Sequence, residues 1–452
     1  MVDSGRILAA ALLTLAGTTP AAGAGFPVPP RTIARPVWTG SWEAAPSGAA
    51  SAVPGATIRN VVHLSVGGRV LRVRLSNRLG TAPLTLGAVT VALRRPGGPD
   101  AVPGTMRTAT FDGAPTVTVP PGRDLVTDPV PLAAPAAADL LVTVHTPTVA
   151  GPATYHRTAL QTGYVAPESD GDGDDVAADE DGGAYPVATS HWYYVTGVDV
   201  RGSAAGSVVA FGDSLTDGTC TTPDANRRWP DRLAERLRAL PPRHRPGVLN
   251  AGIAGNRLLR EGTGPGALTR LDADALARAG VRALIVLEGI NDIIKGTPQA
   301  GDVLDFEDAY RTIVARAHAR GIRVVGATLT PYGGHGAFTA AREAVRERVN
   351  AFIRTGGAFD AVADFDAAVR DPDRPQRILP AYDCGDHLHF DDEGARALAD
   401  AVDVASLLRR APSATPVPRT VVRRGTRHAV RDGKMRRIFR MPRFHPARAV
   451  DN

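Results

Sequence analysis

Cysteine is nearly absent from this chain: Cys220 and Cys384 are the only two in 452 residues, which leaves room for one disulfide at most. Aromatic residues are also few, at 5%, against 48 glycines and 37 prolines, so the core must be built on Ala, Val and Leu between many turns. Long apolar runs are missing beyond the N-terminus, and no later stretch approaches the ~20 residues a membrane helix needs. Stable membrane insertion is therefore not expected. A basic surplus is missing from most of the chain too. The net charge is +6, but residues 419–452 carry 11 Lys/Arg against two Asp, a local +9 that leaves −3 on the rest. The basicity belongs to a tail, read as disordered and solvated over 411–452, and a nucleic-acid enzyme is not indicated.

What is present begins with I-L-A-A-A-L-L-T-L-A-G, a short apolar run ending in small residues, with Ala22-Gly23-Ala24 fitting an A-x-A cleavage rule. The expectation is a signal peptide over 1–24, a Pro-rich linker over 25–36 and a secreted, extracellular protein. In such a setting Cys220 and Cys384 pair. That would close a loop of about 160 residues, for which chain-entropy models allow up to ~5 kcal/mol.

The length predicts two domains. From about residue 37 to 203 the pattern is short and alternating. In V-L-R-V-R-L, Leu71, Val73 and Leu75 share one face and Arg72 and Arg74 the other, a half-buried strand. Gly67-Gly68 before it predicts a hairpin with V-V-H-L-S-V. Further strands are expected in L-T-L-G-A-V-T-V-A-L, T-V-T-V, D-L-L-V-T-V-H and H-W-Y-Y-V-T-G-V-D-V, which together read as a jelly-roll-like β-sandwich. An acidic run interrupts them. Asp170, Asp172 and Asp174 have the spacing of calcium-loop ligands, but Asp175 stands where that loop needs glycine and Asp181 where it needs Glu, so the run reads as an acidic loop. From 204 to 410, five apolar runs alternate with helical stretches, predicting an α/β fold with a parallel sheet covered on both faces. Ligands of such sheets sit at the carboxyl ends of the strands.

The residues at those ends are polar. The first strand runs into F-G-D-S-L-T-D-G with Ser214, the second into N-A-G-I-A-G-N with Gly255, and the third into L-E-G-I-N-D with Asn291. A nucleophilic serine needs a base, a group that orients the base, and donors aimed at a developing oxyanion. The Ser214 N–H, the Gly255 N–H and the Asn291 amide are candidate donors. Near the end of the chain, D-C-G-D-H-L-H-F places His387 and His389 after Asp386. On the residues alone Ser214 could cap the following helix, and the two histidines could bind a metal with Asp383 or Asp386. Trp38, Trp42, Trp192, Tyr193 and Tyr194 could serve a non-catalytic sugar-binding protein or simply fill a core.

The blocks F-G-D-S-L, A-G-N, G-I-N-D and D-H-L-H, in that order over about residues 207–410, resemble the SGNH hydrolases, the GDSL-type esterases and lipases. The resemblance implies a flavodoxin-like three-layer α/β/α domain and a catalytic set of Ser214, Asp386 and His389. Gly255 and Asn291 would join Ser214 in the oxyanion hole. It also implies a carboxylic ester hydrolase that needs neither metal nor organic cofactor. A β-rich segment ahead of the hydrolase is similar to secreted bacterial members acting on acylated plant polysaccharides. The expected partner is thus an ester substrate, with lipid esters the rival class, and the expected state is a monomer. Because Asp386 and His389 are three apart, a helical turn would put them on one face. His387 is expected to take a structural or pocket-wall place, and a Cys220–Cys384 bond would tie this loop to the one carrying Ser214.

Overall fold

The computed structural model describes residues 38–148, 151–167, 175–296 and 302–409. The expected signal peptide, Pro-rich linker and basic tail lie outside the described residues, as do Asp170, Asp172 and Asp174.

Between Trp38 and Arg201 the strands pair antiparallel. One sheet orders Trp38–Glu43, Val195–Arg201, Val70–Ser76 and Asp124–Val126. The larger runs Val187–Thr189, Gly163–Ala166, Thr57–His63, Asp139–His145, Ala88–Leu93 and Arg107–Thr108. Leu71, Val73 and Leu75 from the first sheet and Ile58, Val62, Val142 and Val144 from the second share one buried core, a sandwich. The alternation of V-L-R-V-R-L is what allows this. Its apolar face enters the core while Arg72 and Arg74 converge on Asp199, each 2.9 Å away.

The expected hairpin at Gly67-Gly68 does not form. Thr57–His63 and Val70–Ser76 lie in different sheets, and the two glycines carry the chain from one to the other. Neither has the positive φ that a two-residue hairpin turn demands. They are needed for close approach instead: a Cβ on Gly67 would sit 2.5 Å from the Ala134 carbonyl oxygen, while Gly68 and Ala134 exchange backbone hydrogen bonds. The H-W-Y-Y-V-T-G-V-D-V run also divides. Tyr194, at φ +61°, separates Trp192–Tyr193, in a small three-stranded sheet, from Val195–Arg201. Of its aromatics, Trp192 and Tyr194 are buried with Trp42, and Trp42 meets Trp192 edge-on at 4.9 Å. The guanidinium groups of Arg72 and Arg201 both lie over the Trp38 ring, at 4.5 and 4.4 Å.

The second half holds five parallel strands: Ser207–Gly212, Gly247–Gly252, Val281–Leu287, Arg323–Ala327 and Ala361–Ala363. Their spatial order is second, first, third, fourth, fifth, the flavodoxin-like arrangement. The first and fourth are buried along their whole length, because helices cover both faces. Those helices include Trp229–Arg238, Asp302–His318, Ala340–Thr355 and Asp392–Asp400. The stretch L-T-R-L-D-A-D-A-L is less regular than expected: an α-turn, Ala267–Leu271, widens into a π-turn over Asp272–Leu276.

The two halves are joined by polar contacts at buried positions. Ser207 Oγ accepts the Gly40 N–H at 2.9 Å and donates to the Ala279 carbonyl at 2.7 Å. Val248 N–H donates to Ser65 Oγ at 2.9 Å. Glu43 and Arg278 meet at 2.6 Å and Arg78 reaches Asp274 at 2.5 Å. Burial pushes the Glu43 carboxyl up to about 7 even though Arg278 opposes the shift. Removing one partner of a buried pair leaves the other without compensation, typically at a cost of about 3–5 kcal/mol. Arg278→Ala should therefore lower unfolding stability by roughly that amount, with both halves melting in one transition. Urea titration followed by far-UV circular dichroism and tryptophan fluorescence checks this; two separated transitions in the wild type would show that the pairs do not couple the halves.

Candidate active site

Ser214 opens a four-residue helix, Ser214–Asp217, directly after the first parallel strand. The cap of that helix is Asp213, which accepts the Leu215 N–H, so the Ser214 hydroxyl is free for other partners. It lies 2.8 Å from His389 Nε2, and His389 Nδ1 lies 2.6 Å from Asp386 Oδ2. Ser214, His389 and Asp386 thus form one hydrogen-bonded row.

The expected helical turn is not what brings Asp386 and His389 together. Residues 385–389 form bends, and Asp386 Oδ1 accepts the N–H groups of Leu388 and His389 at 2.9 and 2.8 Å. One carboxylate oxygen folds the turn and the other takes the ring, a local side-chain-to-backbone device that competes with helix formation. Partial burial works to raise the Asp386 carboxyl, but the His389 ring and these two N–H groups outweigh it and hold it below the usual range. His387 is turned to a different carboxylate, Asp383 Oδ2 at 2.5 Å, and its own backbone sits at φ +64°. Cys220 and Cys384 are bonded, closing a separation of 164 residues and joining the two segments that carry Ser214 and His389.

Gly255 stands in the left-handed region at φ +81°, in the turn after the second strand. Asn291 lies in the first turn of the helix Ile290–Lys295 and is 7% exposed. Among the described residues, the backbone N–H groups of Ser214 and Gly255 and the Asn291 Nδ2 have no hydrogen-bond acceptor. The Asn291 amide acts favourably on the charged form of Asp213, without a hydrogen bond of ordinary geometry. A buried donor left without a partner, as Asn291 Nδ2 is, is rare and calls for an acceptor.

Sequence reasoning missed the group beneath the site. Arg270 is 2% exposed, and its guanidinium donates to Asn256 Oδ1 at 2.9 Å, the Ala251 carbonyl at 2.7 Å and the Gly212 carbonyl at 2.9 Å. It faces Glu288 at 3.4 Å and stacks over Phe211 at 4.0 Å. Nothing in A-L-T-R-L distinguishes this arginine from the exposed ones on neighbouring helices; only its burial does. Around it, burial pushes Asp213 up to about 7, with Asp292 adding to the rise and Arg270 resisting it, and Glu288 goes well above its ordinary value for the same reasons. Asp292 accepts the N–H groups of Leu258 and Leu259 at 2.7 and 3.0 Å, so the turn holding Asn291 is tied to the one that follows Gly255.

Residues 210–397 match the model of the GDSL-like lipase/acylhydrolase family. This stretch is a GDSL-like acylhydrolase domain. Solved structures similar to the chain include a candidate lipolytic protein of the G-D-S-L family from Desulfitobacterium hafniense, at 23% identity over 45% of this chain and 99% of that one, with a TM-score of 0.34. A carbohydrate acetylesterase from Sinorhizobium meliloti is 17% identical over 44% of this chain and 99% of its own, TM-score 0.34. An acetylxylan esterase from Geobacillus stearothermophilus is 21% identical over 44% and 93%, TM-score 0.33. No curated protein matches the chain.

The acylhydrolase domain is organised around the Arg270 fork, since one side chain completes the ends of two strands and the Asn256 side chain. Arg270→Met would leave those acceptors and Glu288 without their partner, and a loss of about 3–5 kcal/mol is expected from breaking such a network. Arg270→Lys should recover only part of it, because an ammonium lacks the fork geometry. Guanidinium denaturation of the three proteins measures this. Wild-type stability in Arg270→Met would contradict it.

Proposed function

We propose that the chain is a secreted serine esterase in which Ser214 is the nucleophile, His389 the general base and Asp386 the group that orients it. The observation that carries this reading is the Ser214 Oγ to His389 Nε2 contact of 2.8 Å, continued to Asp386 at 2.6 Å. In the proposed reaction the Ser214 hydroxyl gives its proton to His389 Nε2 as its oxygen attacks the ester carbonyl. Asp386 holds the Nδ1–H tautomer and stabilises the imidazolium. The developing oxyanion would be met by the N–H of Ser214, the N–H of Gly255 and Nδ2 of Asn291, the donors without acceptors. The proton passes to the departing alkoxide, and water, activated by His389 in the same way, releases the acid from the acyl-enzyme.

The preferred substrates would be short acyl esters on a polar alcohol such as an acylated polysaccharide. In support, the depression of about 840 Å³ beside Lys295 combines charged walls, Arg257, Arg260, Asp292 and Asp305, that suit a polar alcohol with an apolar part, Leu259, Leu268, Ile293 and Phe306, that suits an acyl group. Lys295 Nζ reaches the Gly255 carbonyl at 3.3 Å, linking that wall to the proposed oxyanion hole. Export is supported by the Cys220–Cys384 bond, and among the described residues no helix is long and apolar enough to cross a membrane. We further infer that residues 37–203 and 204–410 are separate modules of one enzyme.

Ser214→Ala and His389→Ala should each lower kcat/KM for p-nitrophenyl acetate by about 10,000-fold or more, the scale on which triad members act as a unit. Circular dichroism would verify that each variant is folded. Near wild-type turnover in either would refute the assignment. A panel of C2 to C16 nitrophenyl esters together with acetylated xylan and pectin tests the acyl preference; a rise in rate with chain length would favour the lipid-ester class.

A further inference from the structure

Asp217, the last residue of the nucleophile helix, is buried, and two groups hold its carboxylate. Oδ2 accepts the N–H of Ala254, next to Gly255, at 2.8 Å, and Oδ1 lies 3.0 Å from Nε2 of His156. His156 comes from the antiparallel half, on the strand Ala153–His156, and is itself buried. Its other nitrogen, Nδ1, faces the Ala45 carbonyl at 2.8 Å, and the second group near Nε2 is the Thr158 carbonyl at 3.3 Å.

Carbonyl oxygens only accept hydrogen bonds, and so does an ionised carboxylate. A neutral imidazole has one N–H, so it would leave one of these facing acceptor pairs without a proton. A doubly protonated ring satisfies both. Each Asp217 oxygen has its own partner: Oδ2 takes a backbone N–H and Oδ1 faces the ring. Burial works against the imidazolium, but the charge of Asp217 and the hydrogen bonds to Asp217 and Ala45 outweigh it, and the ring is held above its ordinary pKa of 6.5. The Arg228 guanidinium opposes the charge from the start of the next helix. The crevice beside the pair, about 30 Å³, has Glu43, His63, Arg228, Asp231, Glu235 and Arg238 among its walls. No other carboxylate is hydrogen-bonded to His156 among the described residues.

We propose that His156 is a positioning residue of the esterase site: as a buried imidazolium it clamps Asp217, and Asp217 fixes the turn that presents the Gly255 N–H to Ser214. The inference rests on the serine esterase reading above, and it assigns the antiparallel half a part in catalysis without substrate contact. The sign of its pH dependence follows from the raised value. The clamp is complete below the ordinary histidine pKa and is lost as pH rises through the higher value of the folded protein.

The test compares His156→Gln, Asp217→Asn and the double variant on p-nitrophenyl acetate across pH, in the full chain. Each single change leaves one unmatched charge or donor and should lower kcat by about 10- to 100-fold while KM stays within about threefold. The double variant, a neutral amide pair of similar shape, should regain most of kcat and should lack the alkaline fall expected of the wild type. In the wild type, ¹H–¹⁵N spectra at pH 7 should show protons on both ring nitrogens of His156. Single variants within twofold of wild-type kcat, a double variant no better than the singles, or a singly protonated His156 ring would each overturn the proposal. If the single variants do not fold, the ring protonation in the wild type decides it. A wild type that neither turns over the ester nor is labelled at Ser214 by an organophosphonate would instead remove the esterase reading, and the ring protonation would still test the clamp.

Discussion

One guanidinium sets the geometry on which the site depends. A parallel sheet leaves carbonyl groups at the carboxyl ends of its strands, and at a binding site these cannot all be covered by further backbone. Arg270 takes the Gly212 and Ala251 carbonyls together with Asn256 Oδ1, so the ends of the first two strands and the turn beyond Gly255 share one planar donor. A lysine could offer the charge but not three donors at fixed angles. Burying that charge is costly, and Glu288 and Asp274 offset it, at 3.4 and 3.8 Å. Burial of Asp213 and Glu288 beside it pushes both carboxyls upward, neighbouring carboxylates add to the rise, and Arg270 resists it.

The site built on this fork is assembled from segments that are distant in sequence. Ser214 and Asn291 follow adjacent strands of the sheet, at the point where strand order reverses, which is where such folds open a crevice. His389 and Asp386 arrive on a separate turn and are held near Ser214 by the Cys220–Cys384 bond and by Asp392, which accepts from Thr222 and Arg227. The antiparallel half is part of the same construction. Its first strand meets Ser207 and Arg278 of the parallel half through Gly40 and Glu43, and its His156 reaches the far end of the Ser214–Asp217 helix.

Most of the fold was legible in the residues, for different reasons in the two halves. The five apolar runs from Ser207 onward were mostly buried and separated by helical stretches, so their number and parallel pairing followed from pattern alone. In the first half the strands were visible but not their partners. Gly67-Gly68 looked like a hairpin because glycine pairs usually are, and nothing local recorded that the Ala134 backbone would occupy the space beside it. Tyr194 broke a strand that its sequence would continue, because its side chain is drawn into the sandwich core at a left-handed backbone. The Asp386–His389 contact was anticipated on helical spacing and is made by a bend, since an aspartate can cap its own turn.

By itself, then, the sequence determined the strand and helix content of the parallel half, the acylhydrolase resemblance, and the candidates Ser214, Gly255, Asn291, Asp386 and His389, because these sit in short motifs at element ends. Tertiary structure alone decided which sheet each antiparallel strand joined, that His387 turns to Asp383, and that Arg270 is buried beneath the candidate site and His156 against Asp217. Most of those outcomes depend on burial and on partners tens to hundreds of residues away. An arginine in an ordinary helix or a histidine at a strand end carries no local sign of either.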